Sequence, residues 1–476
     1  MNSMRFAIRC FACLLVAWWS SASSAENPMA GCVDRLAAPG GSSAFDRLPN
    51  VRYTCIALRS GRHLLLAEAG DSAKPAVVLV HGLGNNAHRD WRATVPALTP
   101  QFHVIAFDLP GFGSSEAPAG RFALPILADA LGEVVDRLAL KRFHLVGHSL
   151  GGAVSLYFAQ RHQQQIDHLV LVDVAGILLK PVFLRFLIDA NAANAGLGSL
   201  DSALGALGSL LPGGSDALLD TLEDRSDLGR MLMDFPNVRS ALFGDGVIGD
   251  AAVDLLEHDF TAAIREIRVP TAVVWGSGDP VTPIRTGTLL AARMHDAKLY
   301  VVQGAEHMPM NQRPAAFNQT LLSALSQPVS AGSSLAIDAT PRGSVSCVDQ
   351  SGKRYSGTFE SIVLQNCADA VIVNARARSI KAIGSSLTLE NAIIEGETTA
   401  LDVTGSSVTV TAAILGGRVG IRADASRLDL AGVSLRAVAK GVDMVGASRI
   451  YFSVSEFDAP DYRGDAHFAW PPAAKH

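Results

Sequence analysis

Three side-chain types spread along this chain could together break an acyl bond: a serine hydroxyl, an imidazole and a carboxylate. Ser149 sits at the centre of Gly147-His-Ser-Leu-Gly151, between the apolar run Phe143-His-Leu-Val146 and the helix-like Ala153-Val-Ser-Leu-Tyr-Phe-Ala159. Strand, sharp turn and helix in that order place the serine at a turn tip, where flanking glycines let strand and helix approach closely. Glycine fills 43 of 476 positions, so the pattern alone is weak and an ordinary Gly-Ser turn is the plain alternative. A nucleophilic serine needs a base and a group that orients the base. Asp279 lies in Gly276-Ser-Gly-Asp-Pro-Val-Thr-Pro283 and His307 in Gly304-Ala-Glu-His-Met-Pro309, each directly after an apolar run.

The elements that must position these residues read as alternating strands and helices. Between Arg52 and Ala67 two strand-like runs flank Ser60-Gly61, which predicts an edge hairpin. Ala76-Val-Val-Leu-Val80 is continuously apolar, as a parallel strand covered on both faces is. Further strands are predicted at 103–108, 168–173, 271–275 and 298–302, besides the run from Phe143 that ends in the Gly147–Gly151 turn, with helices at 91–98 and 125–138. That alternation predicts an α/β fold with a doubly wound, mostly parallel sheet. Ligands of such sheets bind beyond the carboxyl ends of the strands, and Ser149, Asp279 and His307 all fall at such ends. Residues 177–267, rich in Leu, Ala and Gly, interrupt the alternation and read as a helical lid over that edge, with a packed structural subdomain as the alternative.

Four motifs now stand together: His81-Gly-Leu-Gly84, Asp108-Leu-Pro-Gly-Phe-Gly-Ser-Ser115, Gly147-His-Ser-Leu-Gly151, and the pair Gly-Ser-Gly-Asp279 with Glu-His307. On these the chain from about Val51 to Leu325 resembles the α/β-hydrolase superfamily, in its lidded serine esterase and lipase-like branch. The resemblance implies Ser149 as nucleophile, His307 as base and Asp279 as acid, with the backbone N–H groups of Leu83 and Leu150 as the oxyanion hole. Trp91 and Met308 are candidates for the substrate pocket, with core packing as the alternative. Asp173 also ends a strand and is a second candidate acid. Asp108 is expected to anchor its own loop, and His81 and His148 to be structural.

Departures within the superfamily narrow the chemistry. Ser149 stands where dehalogenase and epoxide-hydrolase branches use an aspartate, and residues 177–267 contain no tyrosine to activate an epoxide. Carbon–carbon bond hydrolases, similar in sheet and lid, often place an aromatic residue just after the histidine, where this chain has Met308. The expected activity is hydrolysis of a small or lipid-like carboxylic ester with an apolar acyl group, through an acyl-enzyme and with no metal or organic cofactor. Acyl transfer or carbon–carbon cleavage on the same triad is the alternative chemistry. A catalytically idle surface-binding protein is the alternative of another class.

Composition and cysteines bound the setting. At 49% hydrophobic, 18% charged and net charge −5, neither disorder nor a nucleic-acid partner is indicated. Arg5 and Arg9 precede an apolar stretch from Cys10 to Trp19, and Ser20 to Ala25 offers small residues for cleavage. Residues 1–25 therefore read as a signal peptide whose apolar stretch is too short to span a bilayer, and the protein as secreted or periplasmic without a transmembrane segment after processing. A lipid-attachment box at Met29-Ala-Gly-Cys32 is the rival reading. Four cysteines remain, with Cys32–Cys55 and Cys347–Cys367 favoured as pairs and buried free thiols as the alternative.

The C-terminal third repeats. Residues 26–325 read as the hydrolase domain and 326–342 as a Ser/Ala/Gly/Pro-rich linker, after which Ser385-Ser-Leu-Thr-Leu389, Ser406-Ser-Val-Thr-Val410, Ser426-Arg-Leu-Asp-Leu430 and Ser448-Arg-Ile-Tyr-Phe452 recur every 20 to 22 residues. Leu401-Asp-Val403, Ile421-Arg-Ala423 and Val442-Asp-Met444 keep the same period. Three short strands per repeat predict an all-β right-handed parallel β-helix over 343–476, with a β-sandwich as runner-up. The Cys347–Cys367 pair and the aromatic tail from Phe457 to Trp470 are the expected caps. Asp402, Arg422 and Asp443 alternate in charge like a ladder, and no second active site stands out. A scaffold or binding module touching a polymer or a surface is the expected role, and the oligomeric state is not legible.

Overall fold

The computed structural model describes residues 32, 48–84, 86–118, 122–179, 247–326, 337–338 and 340–470. The signal-peptide reading, most of the lid and most of the linker fall outside the described residues. The N-terminal part is an eight-stranded sheet in the order β1-β2-β4-β3-β5-β6-β7-β8, with β1 Arg52–Ala57, β2 His63–Ala69, β3 Ala76–Val80, β4 His103–Phe107, β5 Phe143–His148, β6 Ile166–Val172, β7 Thr271–Gly276 and β8 Ala297–Val302. β1 and β2 pair antiparallel as the predicted edge hairpin, β2 pairs antiparallel with β4, and every later pairing is parallel. Helices α1 Val95–Leu98, α2 Leu124–Arg137, α3 Leu150–His162, α4 Val247–Glu257, α5 Thr261–Glu266, α6 Ile284–Arg293, α7 Pro309–Gln312 and α8 Pro314–Ser326 follow in chain order.

Burial on both faces explains the apolar strands. On β3, Val78 and Val80 join the core under α2, α3 and α6, while Val77 and Leu79 join the opposite core with Trp91, Leu98 and Phe317. Each such side chain is worth about 1.5–3 kcal/mol over its exposed state. The helix expected at 91–98 is broken in two: a 3₁₀ turn ends at Trp91 and α1 begins at Val95, with Pro96 in its first turn, where a missing N–H costs nothing. At the exit of the lid segment, α4 and α5 are helical as expected.

The C-terminal part is a parallel β-helix, so the sandwich alternative gives way: its ladders run parallel, whereas a sandwich is built from antiparallel ones. Leu387, Val408, Leu428 and Ile450 stack on one face, Ile394, Leu415 and Leu435 on the second, and Leu401, Ile421 and Val442 on the third. All of these are buried, so each coil covers the apolar interior of the next. The recurring serine has its own reason. The hydroxyls of Ser385, Ser406 and Ser426 donate to the carbonyls of Ile383, Thr404 and Asp424, and accept the N–H groups of Cys367, Ser385 and Ser406 from the coil before. One corner of each coil takes a left-handed φ, at Asn374, Asn391, Ala412, Gly432 and Val454. At the far end the strand Arg463–Trp470 turns back antiparallel on the strand Arg449–Asp458, and Phe452, Phe457, Phe468 and Trp470 cluster there. The charged ladder is partly real: Asp402, Arg422 and Asp443 are in register, but the Arg422–Asp443 approach is 4.0 Å and exposed, a contribution of roughly 0–1 kcal/mol.

Both favoured cysteine pairs are disulfides, Cys32–Cys55 and Cys347–Cys367. Cys32 thereby has no sulfur left for a lipid, and the lipid-box reading is corrected. No helix among the described residues is long and apolar enough to cross a membrane.

The two parts share a core. Ala431, Tyr451 and Val454 of the β-helix lie in the same apolar cluster as Ile177, Leu178, Leu289 and Leu290. Around it Arg285 pairs with Asp429, Arg265 with Asp465, and the Leu179 N–H donates to Ser453 Oγ at 2.7 Å.

Candidate active site

Ser149 is held in a conformation that serine avoids. It joins β5 to α3 with φ 50° and ψ −115°, in the left-handed half of the map. The surroundings enforce this. Its N–H donates to the Val172 carbonyl at 2.9 Å, and its own carbonyl accepts from Gly152 and Ala153 in the first turn of α3. A β-carbon at Gly147 would collide with the Gly151 carbonyl and Ser155 Oγ, and one at Gly151 with the Val80 and His81 carbonyls, so only glycine lets the strands and helix close this tightly.

The turn brings three groups from three strand ends together. His307 Nε2 is 3.0 Å from Ser149 Oγ, and His307 Nδ1 is 2.8 Å from Asp279 Oδ2. Asp279 is saturated with donors: the N–H groups of Val281 and Thr282 reach Oδ1 at 2.8 and 3.0 Å, and the Thr282 hydroxyl reaches Oδ2 at 2.5 Å. Burial pushes the Asp279 carboxyl up, but His307 and Thr282 outweigh it and hold the group below its ordinary value. Asp279 is therefore an anion at neutral pH. The His307 side chain keeps 19% of its surface exposed, which leaves one edge open to a reacting molecule.

Two further histidines shape the site through hydrogen bonds to backbone groups. His148 Nε2 lies 2.7 Å from the His307 carbonyl, an acceptor only, so Nε2 bears the hydrogen. Burial first, and then His307, pushes His148 down to about 3, so it stays neutral. His81 Nε2 accepts the Leu109 N–H at 2.9 Å while Nδ1 faces the Gly82 carbonyl at 2.7 Å. That bond pins the His81-Gly-Leu-Gly84 loop beside Ser149. Asp108 anchors its own loop, taking the Ser114 N–H and the His88 N–H and ring.

Leu83 is exposed in that loop, and Leu150 is the first residue of α3, where backbone N–H groups have no intrahelical acceptor. Trp91 is fully buried, tilted against Phe317 and edge-on to His148 beneath the site, an environment that suits the core alternative. Met308 is half-buried against that same core. Asp173 is not on the histidine; it is fully buried and stands beside the Asp279 carboxyl. Sequence reasoning missed Thr282, whose signal was the turn Asp279-Pro-Val-Thr282, since an aspartate there bonds backbone N–H groups two and three residues on. Among the described residues no group of three or more His, Cys, Asp or Glu could hold a metal.

Sheet, strained serine and following loops together define a hydrolase of the α/β type. A sequence model of the alpha/beta hydrolase fold matches residues 75–314, and the chain belongs to that family. An uncharacterised protein of Mycobacterium tuberculosis is 31% identical over 256 residues, 51% of this chain and 73% of that protein. A monoacylglycerol lipase of Xenopus laevis is 25% identical over 262 residues, 51% and 72% of the two chains. A 2-hydroxy-6-oxo-6-(2'-aminophenyl)hexa-2,4-dienoic acid hydrolase of Metapseudomonas resinovorans is 27% identical over 261 residues, 53% and 84% of the two.

Proposed function

We propose that this protein is a secreted or periplasmic serine hydrolase that cleaves carboxylic esters with apolar acyl groups. The observation that carries the reading is the unbroken chain from Ser149 Oγ through His307 to Asp279, at 3.0 and 2.8 Å. In this reading residues 26–325 are the catalytic unit and 343–476 the β-helix packed on its flank.

Ser149 Oγ attacks the ester carbonyl while His307 Nε2 takes the hydroxyl proton, and the ionised Asp279 stabilises the imidazolium that forms. The Leu83 and Leu150 N–H groups receive the oxyanion, helped by the positive end of α3. As the tetrahedral species collapses, His307 returns the proton to the leaving alcohol. A water molecule, activated by the same histidine, then frees the acid and Ser149.

The Leu-rich segment 177–267 favours an apolar acyl group, and the two disulfides favour an oxidising compartment. Carbon–carbon cleavage is the second reading, because a relative of that activity matches as well as the lipase does. Met308, in place of an aromatic residue after the histidine, argues for the ester. Chromogenic esters of increasing acyl length, turned over by the mature protein and its Ser149→Ala variant side by side, test the proposal. Serine-dependent turnover peaking at one length is expected. No turnover at any length, with cleavage of a vinylogous diketone instead, would move the protein to the second reading.

A further inference from the structure

Asp173 lies just beyond β6, with φ 43° and no exposed surface. Its two carboxyl oxygens have different surroundings. Oδ1 accepts the Gly276 N–H at 2.9 Å, whereas Oδ2 is buried and meets no N–H or O–H donor. The group beside it is the carboxyl of Asp279. Thr282 joins the two residues, its hydroxyl 2.5 Å from Asp279 Oδ2 and 3.3 Å from the Asp173 carbonyl oxygen.

Two adjoining carboxyls shielded from water do not both ionise. The donors decide which one holds the charge. Asp279 has two N–H groups, a hydroxyl and an imidazole; Asp173 has a single N–H. Burial, and then the charge of Asp279, pushes the Asp173 carboxyl well above its ordinary value. It keeps its proton at neutral pH, and a buried O–H requires an acceptor.

We propose that Asp173 is a positioning residue: a neutral carboxylic acid that donates its O–H to the Asp279 carboxylate, holding it against His307 and limiting its basicity. This rests on the reading that Asp279 orients His307 as the base. The titratable groups that bear on the pair are His307 from the loop after β8 and, behind it, the neutral His148 at the end of β5. Two acids at the ends of neighbouring strands then divide one task. Asp279 carries the charge, and Asp173 sets how strongly that charge pulls on the imidazole proton.

The test uses the full-length protein with Asp173→Asn and Asp173→Val. Asparagine is uncharged and still donates; valine cannot donate. The infrared difference spectrum of wild type minus Asp173→Asn at pH 7.5 is expected to show the carbonyl stretch of a protonated carboxylic acid. Its absence overturns the proposal, and this readout needs no substrate. The acid limb of kcat/KM for an ester is expected to stay in place in Asp173→Asn. In Asp173→Val it is expected to move to higher pH by about half a pH unit or more, with KM little changed, because Asp279 loses a donor. Both limbs moving to lower pH would mean that Asp173 is an anion, and the proposal falls. An unmoved limb in a folded Asp173→Val also overturns it. Should the valine variant not fold, the infrared band decides alone. Absence of ester turnover in the wild type would defeat the proposed function while leaving the infrared result standing.

Discussion

Arg285 on α6 and Asp429 on the strand Arg427–Ala431 form a two-pronged ion pair, at 2.5 and 3.2 Å, and the same guanidinium reaches the Val410 carbonyl at 3.3 Å. The side chains are only 13% and 18% exposed, so the pair is largely desolvated. It also lies on the helix that directly follows the Asp279 turn. Removing one partner strands the other charge at about 3 kcal/mol. Arg285→Ala is expected to lower the thermal midpoint by several degrees, and Arg285→Asp with Asp429→Arg to recover part of the loss. A midpoint unmoved by either single change would show the pair to be idle.

Gly432 makes the same contact at closer range. It is the left-handed corner of its coil, φ 63°, and a β-carbon there would run into Leu289 Cδ1 of α6. Gly432→Val is expected to cost about 2 kcal/mol or more through strain and collision, where Ala412→Gly at the equivalent corner costs little. Deleting 343–476 would bare Leu289 and the other apolar residues now covered by Ala431, Tyr451 and Val454. The truncated chain should bind a hydrophobic dye and aggregate; a soluble, fully active truncation with an unchanged midpoint would contradict the shared core.

His148 predicts an acid sensitivity. Burial lowers it from 6.5 to about 3, so between those values the unfolded chain binds a proton that the folded chain refuses. Its share of stability is fully present above pH 6.5 and is lost as pH falls toward 3. Other buried groups, Asp90 and Asp173 among them, shift the opposite way, so the clean observable is a difference. Urea unfolding should show the stability gap between wild type and His148→Gln narrowing by about 3 kcal/mol from pH 7.5 to 4.5. A constant gap would mean that His148 takes up its proton as readily in the folded chain as in the unfolded one.

Much of this was legible because short-range chemistry dictated it. Gly147 is required by contacts local to the Ser149 turn, with the Gly151 carbonyl and Ser155 Oγ, and the 20-to-22-residue serine period marks a hydrogen-bonded ladder from each coil to its neighbour. What stayed hidden depends on partners far apart in the chain. Trp91 looks the same in sequence whether it lines a pocket or underlies Phe317. The Asp173–Asp279 neighbourhood needs β6 beside β7, and nothing in the repeat announces that its Gly432 corner seats α6.

In the proposed mechanism Ser149 is the group that becomes acylated. A fluorophosphonate, which traps an activated serine as a stable adduct, followed by peptide mass spectrometry of the mature protein, tests it most directly. One adduct is expected, on Ser149, formed at least about a hundredfold more slowly in His307→Ala. Ester turnover that persists with no adduct on Ser149, or with the adduct on another residue, would contradict it.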